Sequence, residues 1–420
     1  MSQIDDEPRN KLRAGDSMAG TSESPSQKSS RHIGIVMPPL AGHIIPSLGL
    51  ARKLNELGHR VTYVTHENFR GLCGIVSASL APTSVLYEGL SSGHKVDAVL
   101  GPITSVVEAG NREISMDLDR ITQWFREDPI DVLCVGYASQ IGYPLADRLG
   151  VPRVTVYSTY AWNKEIEKET YGSLAPTGAL GRAIHERMQL ARSLRFSPEH
   201  PTPFGPPSCL NVVSLPRFFQ FYPENFDDSY IFMGPDIKSH PGRAEWSPRS
   251  GQNPLLYISL GTTYNDNIGF FRSCIEAFGG STFEVAMSVG NHISMDELGN
   301  LPQNFEVRRS FPQISVLQHA HAFLTHAGMG STMEALSLSV PIIAVPQQGD
   351  QYLNARKIRE LGIGSSCSLV APNPVELLAY TVNRIAHDPE TRSRIERLAI
   401  KIELADGLSK GADAIVSLCG

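Results

Sequence analysis

A strand, a glycine-containing turn and a helix in direct succession most constrain what this chain can fold into. The apolar run 322–325 predicts a buried strand, and His326-Ala-Gly-Met-Gly-Ser-Thr leads from it into the helical pattern of residues 333–336. A helix that starts after such a turn directs its unpaired backbone N–H groups and the positive end of its dipole towards one point. This arrangement predicts an anion site, and phosphate is the ligand that such sites typically hold.

The residues of this turn suit a phosphate group individually. Gly328 and Gly330 would let the backbone approach the ligand closely. Ser331 and Thr332, which open the predicted helix, would cap it or donate to phosphate oxygens, and His326 would donate to the same oxygens. Each position also has a plain structural explanation, because glycine turns between a strand and a helix are common and a turn histidine can be satisfied by its neighbours.

Residues farther along suit the hydroxyl groups of a sugar. Glu334 lies in the first helical turn, where its charge would oppose a phosphate, so it is better placed to accept hydrogen bonds from sugar hydroxyls. A second apolar run, 340–345, leads to Asp350 and Gln351 at the start of another helix. A carboxylate beside an amide suits sugar hydroxyls, although Asp350 could equally be an ordinary helix cap.

This combination resembles the nucleotide-sugar signature of the family-1 glycosyltransferases, and most of all that of the bacterial macrolide glycosyltransferases. The matching positions are Pro312-Gln313, His326, Gly328-Met-Gly-Ser-Thr, Glu334 and Asp350-Gln351. The resemblance extends over almost the whole chain from about Arg31 onward. It implies an α/β protein of the GT-B fold, in which two doubly wound Rossmann-like domains face a cleft. It also implies a UDP-sugar as co-substrate, with neither a metal nor a cofactor.

Two further stretches concern the nucleotide. Gly261-Thr262-Thr follows another apolar run and offers donors to phosphate. Many relatives place an aromatic residue next to the Pro-Gln pair, where it packs on uracil, but this chain has Ser310 there. Because Ser310 cannot stack, we expect Phe311 and Gln313 to contact the base. UDP is the expected nucleotide, and dTDP stays open.

The first half of the chain predicts a parallel, doubly wound sheet of its own. Residues 32–37 have strand character, residues 38–43 form a tight turn, and a helical pattern from Pro46 ends at Gly58. The strand 61–64 completes a βαβ unit. The dinucleotide fingerprint GxGxxG is missing from this turn, so we expect the nucleotide to bind in the second half.

His43 in this turn is the candidate general base. A neutral imidazole near its normal pKa can take a proton from an acceptor hydroxyl at pH 7. The resemblance assigns this role to the histidine of the Gly-His-x-x-Pro turn, here Gly42-His43-Ile-Ile-Pro46, and implies an inverting displacement at the anomeric carbon. The structural alternative is a histidine that helps to cap the turn.

One position departs from the family pattern. Relatives usually orient this histidine with a carboxylate at the end of the strand 132–136, where this chain has Gly136 followed by Tyr137. Asp131 begins the strand, about 17 Å away, which is too far. Three hypotheses follow. A carboxylate from a loop replaces it, the acceptor is acidic enough (a phenol, for example) to need only a weak base, or much of the activity has been lost.

Acceptor contacts are expected in the loosely patterned region 158–216, where relatives vary. Tyr137 and Trp162 are the candidate acceptor-binding residues, although either ring could simply belong to the core. The sequence does not identify the acceptor.

Two clusters invite a metal interpretation, and both have weak geometry. Asp117 and Asp119 lie on a predicted helix, where residues two apart point about 200° apart, so they cannot share one ion. His319, His321 and His326 lack a fourth convergent ligand. We therefore expect no metal site.

Length and composition exclude several classes of protein. A chain of 420 residues suits two domains better than one core. Its net charge of -6 and the absence of a basic stripe argue against nucleic-acid binding, and no apolar run approaches the roughly 18 residues that cross a membrane. The six cysteines form no CxxC pair and the first 30 residues carry no apolar secretion signal, so we expect a cytoplasmic protein.

The domain organisation follows from shifts in composition. We expect a disordered tail (1–30), an N-terminal acceptor-binding domain (31–235), a Pro/Gly/Ser-rich linker (236–254), a C-terminal nucleotide-sugar-binding domain (255–400) and a C-terminal helix that crosses back to the first domain (401–420). Oligomeric state stays open.

The predicted activity is transfer of a hexose, glucose by preference, from a UDP-sugar to a hydroxyl of an apolar natural product such as a macrolide, polyketide or terpenoid. One alternative resembles the lipid-intermediate N-acetylglucosaminyltransferase, which shares the Gly-His-x-x-Pro turn. It is disfavoured because its acceptor turn is richer in glycine and its basic, apolar membrane-facing patch is not visible here. The other alternative is a non-catalytic auxiliary partner, and Gly136 is the feature that recommends it.

Overall fold

Two parallel β-sheets, each flanked by helices, carry the candidate site. A computed structural model describes residues 30–87, 100–171, 178–195, 207–241, 244–261, 265–368 and 373–419. Residues 1–29, which contain nearly all of the predicted tail, and Thr262 lie outside the described residues. The rest of the chain, from Arg31 on, forms one compact unit.

The first sheet has, within the described residues, seven strands in the order β3-β2-β1-β4-β5-β6-β7, all parallel. The strands are β1 (His32–Val36), β2 (Arg60–His66), β3 (Ser79–Thr83), β4 (Val132–Gly136), β5 (Arg153–Tyr157), β6 (Leu210–Val213) and β7 (Tyr230–Phe232). The helices that accompany them are α1 (Ala41–Glu56), α2 (Arg70–Ile75), α3 (Leu100–Glu127), α4 (Gly142–Leu149), α5 (Lys164–Tyr171) and α6 (Gly178–Leu194).

Helices cover this sheet on both faces, because alternate residues of a strand point to opposite sides. Ile33 and Ile35 of β1 pack with α1 and α2, whereas Val36 packs with α3 and α4. β4 divides its residues between the same two clusters. A strand that is buried on both sides has a continuous apolar sequence, as β1 and β4 have.

The second sheet is built in the same way. The part of the chain that the structure describes gives it six parallel strands in the order β10-β9-β8-β11-β12-β13. They are β8 (Leu255–Ser259), β9 (Glu284–Ser288), β10 (Phe305–Arg308), β11 (Ala320–Thr325), β12 (Ile342–Ala344) and β13 (Gly364–Ser366). Its helices are α7 (Ile268–Phe278), α8 (Gln313–Leu317), α9 (Met329–Ser337), α10 (Asp350–Glu360), α11 (Pro374–Ala386) and α12 (Pro389–Leu404). Two doubly wound α/β sheets were predicted, and that prediction is confirmed.

The last helix, α13 (Gly407–Ser417), packs on the first sheet. A Cβ on Gly407 would lie 2.4 Å from the carbonyl oxygen of Met233, so only glycine allows this approach. Ala412 and Ile415 of α13 are fully buried against the same side. The chain therefore returns to its first sheet after the second is complete. No helix among the described residues is long and apolar enough to cross a membrane.

Two helices begin earlier than the sequence predicts, and both corrections concern the site. α1 begins at Ala41 rather than Pro46, so His43 lies in its first turn. Pro46 is tolerated because it costs one backbone hydrogen bond, the one to the Gly42 carbonyl at the exposed helix start. α9 begins at Met329, with Gly328 as its N-cap, rather than at Ser331.

Candidate active site

One cleft, with a volume of about 580 Å³, collects most of the predicted site residues. Its walls are the segments that follow the carboxyl ends of strands in both sheets, where open α/β sheets bind ligands. The predicted residues that line it are His43, Tyr137, Phe311, Gln313, His326, Gly328, Gly330, Ser331, Glu334 and Asp350. The volume lies within the usual range for small-molecule sites.

The start of α9 lies at this cleft and has the geometry that favours an anion. The first bond of the helix runs from the Thr332 N–H to the Gly328 carbonyl, at 2.9 Å. The N–H groups of Met329, Gly330 and Ser331 precede this first donor and therefore have no acceptor within the helix, and all three residues line the cleft. The helix dipole adds a partial positive charge at the same place. A diphosphate is the kind of ligand that this arrangement favours.

The His326 ring fits between two glycines. A Cβ on Gly328 would lie 2.4 Å from its Nε2 atom, and a Cβ on Gly261 would lie 2.5 Å from its Cε1 atom. Gly261 also has a φ of +79°, which favours glycine in any case. The space at Gly328, which the sequence suggested for a phosphate, is therefore filled by the imidazole. Burial lowers the pKa of His326 to about 4, so the ring is neutral at pH 7 and can donate through one nitrogen.

A hydrogen-bonded group of side chains lies beside α9. Gln313 donates from Nε2 to Glu334 at 2.5 Å and to the Ser331 hydroxyl at 3.1 Å, and it accepts from the Tyr257 hydroxyl at 3.2 Å. The other Glu334 oxygen lies 3.1 Å from His240 Nε2. Sequence reasoning missed His240, because it lies in an aperiodic segment that reads only as a linker. These contacts fix the Gln313 amide and the Glu334 carboxylate at the cleft wall.

Phe311 is almost fully buried at this wall. Its ring makes edge contacts with Trp246 and Tyr257. The Arg308 guanidinium lies 4.9 Å from the centre of the ring. Much of the Phe311 surface is therefore engaged within the protein.

Asp350 lies at the start of α10 and reaches across the cleft. The Thr159 hydroxyl, which follows β5 of the first sheet, donates to Asp350 Oδ2 at 3.4 Å. Burial raises the pKa of this carboxyl above its usual value, and the hydrogen bond from Thr159 opposes that shift. Thr159 was not predicted, because a single threonine after a strand carries no signal of its own.

Three predicted site residues do not line the cleft. Gln351 is 5% exposed, and its Oε1 accepts from the backbone N–H groups of Gln347 and Gln348 at 2.8 and 3.1 Å. It stabilises the turn before α10, because the N–H groups of that turn need an acceptor. Thr332 is fully buried beneath the helix start. Trp162 is partly buried and packs against the core.

His43 faces the cleft from the first sheet. Its Nδ1 atom lies 3.0 Å from the Ser158 hydroxyl oxygen, and its ring stacks on Tyr137 with 5.5 Å between ring centres. The Tyr137 ring also stacks on Tyr157. Tyr137 therefore supports the histidine while it lines the cleft. Burial lowers the pKa of His43 to about 4.

Relatives usually orient this histidine with a carboxylate, but here Ser158 is the residue within hydrogen-bond distance of His43 Nδ1. It directly follows β5, whose Val156 pairs with Gly136 at the end of β4, so Ser158 lies two residues beyond that pair. A Cβ on Gly136 would lie 2.7 Å from Met37 Sδ and 3.3 Å from Pro38 Cδ, so a side chain there needs Met37 to move.

No group of three or more metal-ligating side chains occurs among the residues with described positions. Asp117 is fully buried and binds Ser84 and Arg120, whereas Asp119 pairs with Arg148. The two carboxylates have separate partners on different sides of α3.

Comparison with known proteins agrees with this geometry. The model of the family described as "Erythromycin biosynthesis protein CIII-like, C-terminal domain" matches residues 276–406. The NDP-glycosyltransferase YjiC of Bacillus subtilis (strain 168) is 30% identical over 91% of this chain and 96% of its own length. The oleandomycin glycosyltransferase of Streptomyces antibioticus is 28% identical over 93% of this chain and 91% of its own. The crystal structure of CalG4, the calicheamicin glycosyltransferase, superimposes with a TM-score of 0.75 at 28% identity and covers 93% of this chain and 98% of that one.

Proposed function

The chain belongs to the family-1 glycosyltransferases, the nucleotide-sugar-dependent natural-product enzymes of the GT-B fold, and we propose that it transfers glucose from UDP-glucose to a hydroxyl group of an apolar natural product. The observation that carries this proposal is that His43 and the start of α9 line one cleft. A base and an anion site on facing walls are what a displacement at a sugar diphosphate needs.

The proposed reaction is a single inverting displacement. His43 Nε2 takes the proton of the acceptor hydroxyl, and the acceptor oxygen attacks the anomeric carbon from the face opposite the nucleotide. The bond from that carbon to the β-phosphate oxygen breaks, and its electron pair leaves on the diphosphate. The N–H groups at the start of α9 and the neutral His326 stabilise the charge that develops there.

The donor sugar is proposed to bind at Asp350. A carboxylate accepts two hydroxyl hydrogens well, and a hexose with free hydroxyls supplies them where a deoxysugar does not. Gln313 and Glu334 are proposed to contact the base and the ribose, respectively. UDP is the preferred nucleotide on the strength of the retained Gln313, and dTDP is the competing choice that the experiment below separates.

The role expected for each segment of the chain is also a proposal. Residues 31–235 would bind the acceptor, residues 255–400 would bind the nucleotide sugar, the segment 236–254 would link them and residues 401–420 would return to the first domain. The names of the relatives, oleandomycin and calicheamicin glycosyltransferase, support an apolar natural product as acceptor. The six cysteines are free thiols, which supports a cytoplasmic location.

Thermal shift with a panel of nucleotide sugars tests the donor. We expect UDP-glucose to raise the melting temperature more than UDP-N-acetylglucosamine or dTDP-glucose does. Mass spectrometry of acceptor libraries should then find products heavier by one hexose. A protein that no nucleotide sugar stabilises would contradict the proposal.

The auxiliary-partner alternative makes a different prediction. It drew its support from Gly136, but His43 has a hydrogen-bond partner in Ser158. Slow hydrolysis of UDP-glucose by the purified protein alone would decide for the enzyme, whereas hydrolysis that needs an added protein would decide for the auxiliary partner.

A further inference from the structure

The partner of His43 is an uncharged hydroxyl group. Ser158 is 6% exposed, so its side chain has a fixed environment at the end of β5. Its oxygen lies 3.0 Å from His43 Nδ1, within hydrogen-bond distance. The neighbouring position, Gly136, cannot take a side chain unless Met37 moves. His43 therefore has a neutral partner, and with Met37 in its present place position 136 has no room for a side chain.

We propose that Ser158 is the positioning residue of His43, and that this uncharged pair restricts transfer to acidic hydroxyl groups, phenols above all. The inference rests on the proposed function of His43 as general base. It adds the chemical class of the acceptor, which the fold and the family leave open.

Ser158 and Tyr137 together fix the orientation of the imidazole. Stacking on Tyr137 holds the plane of the ring, and the hydrogen bond at Nδ1 holds its rotation within that plane. When the Ser158 oxygen accepts from Nδ1–H, the lone pair of Nε2 remains for the acceptor proton. A hydroxyl can also donate to Nδ1, which gives the unproductive tautomer. Ser158 thus orients the ring well but selects the tautomer less firmly than an acceptor-only group would.

Burial without a charged partner makes His43 a weak base. A carboxylate would stabilise the imidazolium by its charge and raise its pKa, whereas the Ser158 hydroxyl carries no charge. Desolvation lowers the pKa of His43 to about 4. A phenol, with a pKa of about 10 as in tyrosine, needs far less help to lose its proton than an aliphatic alcohol, whose pKa is much higher and close to that of water.

Matched acceptor pairs test the acceptor class. Each pair shares one skeleton and differs in its hydroxyl, as 2-naphthol and 2-naphthalenemethanol do, and UDP release from UDP-glucose is the readout. We expect kcat/KM for the phenols to exceed that for the alcohols by about 10²-fold or more. Alcohols that match or exceed their phenols, or transfer to neither member of any pair, would overturn the inference.

Variants at position 158 test the positioning role. We expect Ser158→Ala to lower kcat by about 10²-fold with an unchanged KM for UDP-glucose, and Ser158→Thr, which keeps the hydroxyl, to restore much of the rate. Ser158→Asp should raise the alcohol-to-phenol ratio of kcat/KM by about tenfold, because a charged partner strengthens the base. The control is Ser193→Ala on the exposed face of α6, which should behave like wild type.

The outcomes separate this inference from the proposed function. If Ser158→Ala keeps the wild-type kcat, the positioning role is wrong, and this holds even if Ser158→Asp fails to fold. UDP-glucose binding, measured by calorimetry on each variant, reports on the donor site alone. Intact donor binding and hexose transfer without a preference for phenols would overturn the inference and leave the proposed function standing.

Discussion

The packing of the His326 ring gives a sharp test through Gly328→Ala. The new Cβ would lie 2.4 Å from Nε2, whereas an ordinary contact needs about 3.5 Å, so the ring must withdraw by about 1 Å. Gly328 has a φ of -60° and a ψ of 147°, which any residue adopts, so the effect is purely steric. Overpacking of this kind costs about 1–3 kcal/mol. A displacement of about 1 Å in a positioning group costs about 10²-fold in rate.

The assay compares three glycine variants by melting temperature and by kcat/KM for UDP-glucose. We expect Gly328→Ala to lose both stability and activity. In Gly330→Ala the new Cβ meets only Glu334 Oε1, at 3.8 Å, so this variant should keep the stability of the wild type. If a phosphate of the donor occupies the space beside Gly330, the variant should bind the donor less tightly. The control is Gly269→Ala at an exposed position of α7, where the nearest atom is 3.6 Å away. A Gly328→Ala protein with wild-type stability and kinetics would refute the packing argument.

Three further predictions concern charge and hydrogen bonding. Burial lowers the pKa of His43 to about 4, so the base stays neutral down to that pH. In the pH profile of kcat/KM, the fall on the acid side should therefore lie near pH 4. A fall near pH 6.5 would contradict this prediction. Burial raises the pKa of Glu113 from 4.5 to about 8, so the folded chain keeps a proton that the unfolded chain releases, and stability falls as pH rises between these values. Glu113→Gln should therefore raise the free energy of unfolding, measured in urea at pH 7, by about 3 kcal/mol. The control is Glu108→Gln at an exposed position of the same helix, which should leave the free energy of unfolding unchanged. Equal effects of the two substitutions would contradict the raised pKa of Glu113. Gln351→Ala leaves two N–H groups of the turn before α10 without their acceptor and should lower stability by about 1–3 kcal/mol, checked by urea denaturation against wild type.

The sequence was most informative where a local pattern determines the structure. Apolar runs with turns between them predicted both sheets, because a strand covered on two faces must be apolar throughout. The turn after β11 predicted an anion site from backbone geometry alone. α11 begins at Pro374, since proline favours the first position of a helix.

Contacts between distant segments were harder to predict. Ser158 lies 115 residues from His43 along the chain, and no local pattern links them. The same holds for Thr159 and Asp350, which are 191 residues apart. Gln351 and Thr332 were assigned to the ligand from the family pattern. The Gln351 side chain instead accepts from the backbone turn before α10. Thr332 is buried because α9 begins two residues earlier than predicted, which changes the direction of its side chain.

The start of α1 was predicted too late in the sequence because of one residue. Proline is common in the first position of a helix, so Pro46 suggested a late start. The helix begins five residues earlier, at Ala41, since a single lost hydrogen bond near an exposed end is tolerated. That shift moves His43 from a turn into the first helical turn, where its ring reaches Ser158 and Tyr137.

The measurement that tests the central claim most directly is hexose transfer by the His43→Ala variant, with UDP-glucose affinity measured on the same preparation. The account predicts that transfer falls by about 10³-fold while donor affinity is unchanged, because the base lies on the wall opposite the nucleotide site. Transfer at the wild-type rate with normal donor binding would contradict it.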